Sequence, residues 1–231
     1  MRGITFNNVH SIKTFDLYVN KLDISPPSKI KIYESVPFMN GSYDFSYIYG
    51  GNSFENRTIK YSFELIEESK INLNIAKIRV ENWLLACGQC KLFDDAIPGY
   101  YFLAECTDIS ESDNGEYSLI EATFTAYPFK IRDVYEGDIA WDDFNFELDV
   151  LQETKFDING VKNVKIHNVG ATNVVPEVIC SNQMEVTKDN VTYKFNSGAS
   201  KDYVFELGIG QNDMTIKGNG TIEFKFRKEV L

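Results

Sequence analysis

A mainly β protein in two parts is predicted by three features of this chain. Aromatic residues are abundant, with 17 Phe and 13 Tyr beside 2 Trp, and such side chains favour the pleated surface of strands. Apolar and polar residues alternate in short runs, the period-two pattern of half-buried strands. A single stretch, about Ser69 to Ala86, places apolar residues at helical spacing instead. The fold class expected is an α+β first domain with one helix, followed by an all-β sandwich.

The elements follow in order. Ile30 and Ile32 open an alternation that Val36 and Phe38 continue past Pro37, and Asn40-Gly41 marks a tight turn. Tyr43, Phe45, Tyr47 and Tyr49 alternate next, ahead of the turn-rich Gly50-Gly51-Asn52-Ser53. Ile59, Tyr61, Phe63 and Leu65 then alternate with Thr58, Lys60, Ser62 and Glu64. These three strands are expected to pair as a meander. In the helix, Ile71, Ile75, Ile78, Asn82 and Leu85 recur at helical spacing with Trp83 close by; Ser69 or Asn72 caps its start and Gly88 ends it. Strands return at Gly99 to Glu105 and at Leu119 to Tyr127, joined by the turn Ser112-Asp113-Asn114-Gly115.

A boundary is expected between Pro128 and Gly137, giving domains of residues 1–133 and 134–231. Short strands follow at Val164 to Ile166, Glu177 to Cys180, Met184 to Val186, Val191 to Phe195, Tyr203 to Leu207, Met214 to Ile216 and Ile222 to Phe226. Turns separate them at sandwich-like intervals. The ending reads as a turn at Gly208 to Asp213, a strand, a second turn at Gly218, and a last strand that runs to the C-terminus and closes the domain.

Composition narrows the chemistry. The 231 residues are 43% hydrophobic, enough for real cores, and 25% charged, with a formal net charge of −11. A nucleic-acid binder carries a basic footprint, which this chain lacks. The start, Met1-Arg2-Gly3-Ile4-Thr5-Phe6-Asn7, has no apolar run of the signal-peptide kind, and no segment suits a membrane span. A soluble protein made in a cytoplasm is expected.

Each motif has a plain reading beside its chemical one. Cys87-Gly88-Gln89-Cys90 is a CxxC, but it follows a helix, whose negative end raises a thiol pKa instead of lowering it. Cys106 and Cys180 stand apart from it, as do the two histidines, His10 and His167, so neither a zinc site nor a catalytic triad assembles. No metal, cofactor or catalytic residue is expected. Asp142 and Asp143 beside Trp141 are adjacent, whereas glycoside hydrolysis needs carboxylates facing across a cleft. Acids run from Asp133 to Asp157 against one base, Lys155, and read as a solvated acidic edge. Asn56-Arg57-Thr58, Asn190-Val191-Thr192 and Asn219-Gly220-Thr221 match glycosylation sequons by chance. Arg57 has two readings: a partner for a carboxylate that holds the loop Gly50 to Ser53, or an exposed arginine at a strand start.

Taken in order, the segments form a pattern. Gly3-Ile4-Thr5-Phe6-Asn7 comes first, then Val36-Pro37-Phe38-Met39-Asn40-Gly41 ahead of Tyr43-Asp44, then Glu55-Asn56-Arg57. Asn82-Trp83-Leu84, Tyr100-Tyr101-Phe102 and Tyr127-Pro128-Phe129-Lys130 follow. Asn168-Val169-Gly170, Pro176-Glu177-Val178 and Gly210-Gln211-Asn212 complete it. Across nearly the whole chain this order resembles the siphophage distal tail proteins, the Dit or tail-hub family, although the Cys87/Cys90 pair falls outside their pattern.

The resemblance implies a non-enzymatic hub in the virion of a long-tailed, non-contractile phage, assembled in the host cytoplasm. The first domain would form a hexameric ring that continues the tail-tube channel. The second, galectin-like, would project outward. Implied partners are sibling copies, the tail tube protein, a tail-associated tip protein and, in some members, a receptor-binding protein. DNA would pass through the channel without specific binding, and acids lining it would keep DNA from sticking. A carbohydrate-binding module presenting Trp141 or Tyr203 to a host glycan is the alternative, and a glycosidase is the third reading.

Overall fold

The computed structural model describes residues 2–48, 51–113 and 117–231, and at position 143 the backbone alone. Tyr49, Gly50, the Asn114-Gly115 half of one expected turn and the Asp143 side chain therefore lie outside the described residues. The chain is mainly β and forms two compact units that part after Lys130.

In the first unit, β1 (Ile4–Phe6), β2 (Val9–His10), α1 (Ser11–Phe15) and β3 (Tyr18–Ile24) precede the short β4 (Tyr33–Glu34) and β5 (Tyr43–Asp44). Then come β6 (Arg57–Ile66), α2 (Lys70–Leu85), β7 (Cys90–Asp94), β8 (Tyr100–Asp113) and β9 (Tyr117–Ala126), with β10 (Lys130–Arg132) at the unit boundary. The antiparallel order β2-β1-β7-β8-β9-β6-β3 makes one broad sheet. Ile59, Tyr61, Phe63 and Leu65 of β6 and Ile120, Ala122 and Phe124 of β9 all point to one face, where they form the core with Phe6, Phe102 and the inner side of α2. Phe6 and Tyr61 both meet the Phe124 ring edge-on, at 5.2 and 5.8 Å between centroids.

The expected meander is not formed. β6 pairs with β3 and β9, while the described residues of 25–48 and 51–56 lie off the sheet. The apolar side chains of that alternation, among the described residues, are largely exposed. A second helix, α1, was also missed. It is a single turn whose first N–H groups, at Ile12 and Lys13, donate to Nδ1 of His10, so a histidine occupies the position where Ser or Asp is usual.

The second unit holds β11 (Lys155–Asn168), β12 (Glu177–Cys180), β13 (Met184–Lys188), β14 (Val191–Phe195), β15 (Gly198–Ser200), β16 (Gly210–Lys225) and β17 (Glu229–Val230), with one 3-10 turn at Trp141–Asp143. Its sandwich is one bent sheet. β11 and β16 pair over 14 residues, from Lys155–Glu223 to Asn168–Gly210. On its other edge β16 pairs first with β13, at Met214 to Lys217, and then with β12, at Ile222 to Lys225. Side chains at 212, 214, 216, 222 and 224 are buried, whereas those at 159–163 opposite the bend are exposed. The two halves thus face each other across Phe156, Ile166, Val178, Phe205, Ile216 and Phe224.

The expected second turn and last strand are therefore a single strand that bends at Gly218 and Gly220. Tyr203–Leu207 is not a strand. It turns at Asp202, where Phe205 N–H donates to the Asp202 carbonyl at 3.1 Å, and touches the sheet through one Val174–Leu207 bridge.

Candidate assembly surfaces

α2 starts where the Ser69 hydroxyl accepts from the Asn72 N–H at 3.2 Å. Its inner side, Leu73, Val80, Trp83 and Leu84, is buried in the core. Trp83 Nε1–H donates to the Phe6 carbonyl at 3.0 Å, and its ring stacks on Phe15 at 5.0 Å. Ile71, Ile75, Ile78 and Leu85 are all exposed, Ile71 by 74%. At about 100° per residue these four and Asn82 fall within a narrow arc directly opposite the buried set. The helix is apolar on two faces, and the stripe that the spacing picks out in the sequence is the outer one.

The second surface is the excursion at residues 25–56. Its base is tied to the sheet: Ser25 N–H donates to the Thr58 carbonyl at 3.1 Å and Glu55 N–H to Ser28 at 2.9 Å. Lys29 and Phe54 form a bridge, and β4 pairs with β5 further out. Lys31 lies 3.5 Å from Asp44 and donates to the Tyr47 hydroxyl at 3.3 Å, so these two charges offset each other, and Glu34 of β4 is a further exposed charge. At the far end Met39 N–H donates to the Val36 carbonyl at 3.1 Å. Pro37 takes the first corner of that turn and Phe38 the second, at φ +67°, a place where glycine or asparagine is usual. Phe38 is wholly exposed, and Ile32, Tyr33, Val36, Tyr43, Phe45, Tyr47 and Ile48 are exposed as well. This is a hydrogen-bonded arm with an apolar surface in water.

In the second unit Asp138, Asp142, Glu147, Glu153 and Asp157 of the acidic stretch are exposed as expected, whereas Glu136 and Asp149 are buried. The Asp149 carboxylate is buried against the Lys228 ammonium, which is itself wholly buried and donates to the Leu148 carbonyl at 2.7 Å. Arg132 Nη2 reaches the same carboxylate at 3.4 Å, and Asn145 N–H donates to it at 2.8 Å. Glu136 is also buried, and burial raises its carboxyl above the usual range. The Asp149 carboxylate thus holds the segment before β11 onto the sandwich, whereas Glu136 contributes through its backbone N–H, which donates to the Phe226 carbonyl at 2.9 Å. Trp141, exposed by 70%, leads an aromatic cluster with Phe144 and Phe146, at 6.1 and 5.7 Å. Tyr203 is exposed too, with Lys201 over its ring at 5.6 Å.

Arg57 departs from both of its readings. It is 4% exposed, so it is not a surface arginine, and among the described residues it makes no ion pair. Its guanidinium sits 5.5 Å from the Phe102 ring, and Nε has no acceptor. Burial lowers its pKa.

All four cysteines are free. Burial, with a hydrogen bond to Cys90, pushes the Cys87 thiol up to about 12, and burial pushes Cys106 up to about 11, which leaves both poor nucleophiles. His10 caps α1 and lies 3.4 Å from Asp95. His167 exchanges two backbone hydrogen bonds with the Gln152 side chain, each 2.8 Å. Among the described residues no three His, Cys, Asp or Glu side chains converge on a metal position. Two open hollows of about 230 and 350 Å³ lie along the β3–β6 edge. Among the described residues no helix is long and apolar enough to cross a membrane.

The sequence calls forth no match to a family model or to any curated protein. Among solved structures the chain is similar to the Dit protein of SPP1, described as a paradigm of the hub adsorption apparatus in phages that infect Gram-positive bacteria. The TM-score is 0.68 at 12% identity, over 98% of this chain and 99% of that one. Two structures of the phage p2 baseplate in its activated conformation, with Sr and with Ca, also match, both at a TM-score of 0.45 and 10% identity over 98% of those chains. The likeness to SPP1 Dit establishes a hub-like, β-rich fold for the whole chain.

Proposed function

We propose that this chain is a non-enzymatic structural subunit of a phage tail hub. Its copies close into a hexameric ring between the tail tube and the tip or host-adsorption proteins of a long-tailed, non-contractile phage. Residues 1–133 make the ring and residues 134–231, a galectin-like domain, project from it. The observation that carries this reading is the apolar surface that the first unit leaves in water on both its arm and α2. Contiguous exposed apolar area on that scale marks a protein interface. The fold shared with SPP1 Dit along 98% of the chain supports the same conclusion. A net charge of −11 suits a channel through which DNA must slide without sticking.

Two unlike surfaces on one chain suit head-to-tail contacts, which close into rings when the rotation allows. Solution mass followed by negative-stain imaging of the full chain tests this. A six-membered annulus is the expected result, and a monomer at every concentration refutes it.

The exposed Trp141 cluster favours a second reading, in which the second unit binds a host-surface glycan. Glycan-array binding by the full chain that disappears in Trp141→Ala supports it, and a blank array ends it.

A further inference from the structure

The proposed ring needs two mismatched surfaces, and the first unit carries two without cover. We propose that the arm of one copy, led by Phe38, lies across the outer stripe of α2 on the next copy, against Ile71, Ile75 and Ile78. This inference rests on the ring reading and specifies its interface.

Four features of the molecule assign this occupant. Both surfaces are exposed, so neither covers the other within one copy. Both are close to neutral. The stripe is broken only by the uncharged Asn82, and on the arm Lys31 offsets Asp44, with Glu34 a further exposed charge. A neutral apolar partner fits such surfaces better than a charged peptide or a nucleic acid does. The areas are of one order: at about 150–250 Å² for a whole aromatic, the five arm aromatics, four of them about half exposed, offer roughly 500–700 Å², and α2 several hundred. Such a contact is the apolar centre of an interface whose standard size is ~800 Å² per partner.

The fourth feature is the turn at Phe38. Holding a bulky residue at φ +67° is unfavourable, and here the strain serves to push an aromatic ring fully into water. Strain of that kind persists where it presets a contact. A rigid aromatic at the tip of an arm, seated between branched aliphatics, has the character of an interface anchor.

Two experiments on the full chain decide the matter. First, a photoreactive benzoylphenylalanine replaces Phe38, in a mixture of ordinary and nitrogen-15-labelled protein. Expected are mixed-isotope crosslinks that map to residues 70–86. Crosslinks confined to one copy, or to another surface, overturn the proposal.

Second, Phe38→Asp and the double variant Ile75→Asp/Ile78→Asp are compared with the unaltered protein by sedimentation, with circular dichroism to check folding. Each variant should raise the half-assembly concentration about 30-fold or more. Mixed together they should form a 1:1 dimer and nothing larger, because one intact arm meets one intact stripe. If the unaltered protein and both variants all form rings, this interface is wrong and the ring reading survives. If the unaltered protein never associates, both fail.

Discussion

The hydroxyl of Tyr61 donates to a carboxylate oxygen of Asp94 at 2.8 Å, deep beneath the first sheet. The same carboxylate receives Arg2 through two bonds, at 2.8 and 2.5 Å, and the Ala96 N–H at 2.9 Å. One wholly buried acid thus ties the chain start to β6 and to the end of β7. Asp94→Asn strands the guanidinium and is expected to cost about 3–5 kcal/mol, whereas Tyr61→Phe costs about 1–2 kcal/mol. Urea denaturation at pH 7 reads both. Burial, followed by the Asp94 charge, raises the Tyr61 phenol above its usual range. Its contribution is therefore complete below its unfolded value of about 10 and is lost as the pH climbs beyond it.

Asp149 and Glu136 titrate with opposite effect. Burial opposes ionisation of Asp149, but Lys228, the Asn145 N–H and Arg132 outweigh it and hold the carboxyl below its usual range. Its stabilisation is present above the unfolded value of about 3.9 and fades as the pH falls toward the folded one. Glu136 is raised, by burial, so it weakens the fold as the pH rises from about 4.3 to its folded value. Asp149→Asn should cost about 3–5 kcal/mol at pH 7 and progressively less below pH 4. Glu136→Gln should raise the melting temperature at pH 7 and leave it unchanged near pH 3. Thermal melts across this range check both signs.

Strand identity was legible in the sequence for several strands with one wet face, though not for Tyr18–Ile24 or Cys90–Asp94. Arg57–Ile66, Glu177–Cys180 and Val191–Phe195 alternate and are strands. Two further things were not legible. Periodicity marks an apolar face but not what covers it, so the Ile71–Leu85 stripe and the arm, both exposed, read like core. Nor does local sequence reveal a distant partner. Asp149 looks like its acidic neighbours until Lys228 arrives 79 residues later. The place of the CxxC after the helix disfavours a thiolate, the direction in which burial also moves Cys87.

The bend in β16 depends on Gly220. Its φ is +124°, and a Cβ there would lie 2.2 Å from the Ser181 hydroxyl oxygen. Gly160, in the partner strand, also has positive φ, +81°, but open space around it. Gly220→Ala should therefore cost about 2–3 kcal/mol and Gly160→Ala only about 1. Chemical denaturation of the full chain, followed through the second unit's transition, separates steric clash from backbone strain.

Cys87 should be almost inert. With its thiol pushed up to about 12, the thiolate fraction at pH 7.5 is on the order of a thousand-fold below that of an ordinary cysteine. Iodoacetamide labelling of the native protein should be slower by a similar factor. Cys87→Ser/Cys90→Ser should leave sedimentation unchanged, since neither sulfur is bonded to another. Rapid labelling would return the pair to consideration as a redox site.

Arg57 offers a test of what a buried charge contributes. It opens β6 where the arm rejoins the sheet, and the Phe102 ring is the partner its guanidinium has. Burial lowers the pKa of Lys130, and the Arg57 charge adds to that effect. A buried cation without a counter-charge is expensive, and an apolar side chain of similar volume is often better tolerated. Arg57→Met is thus expected to leave the isolated chain equally stable or about 1–2 kcal/mol more stable, measured by thermal melting at low protein concentration. The same change should also restore part of the Lys130 pKa, read by NMR titration of its ammonium. A loss of stability greater than about 1.5 kcal/mol would mean that the contact with Phe102 outweighs desolvation of the guanidinium.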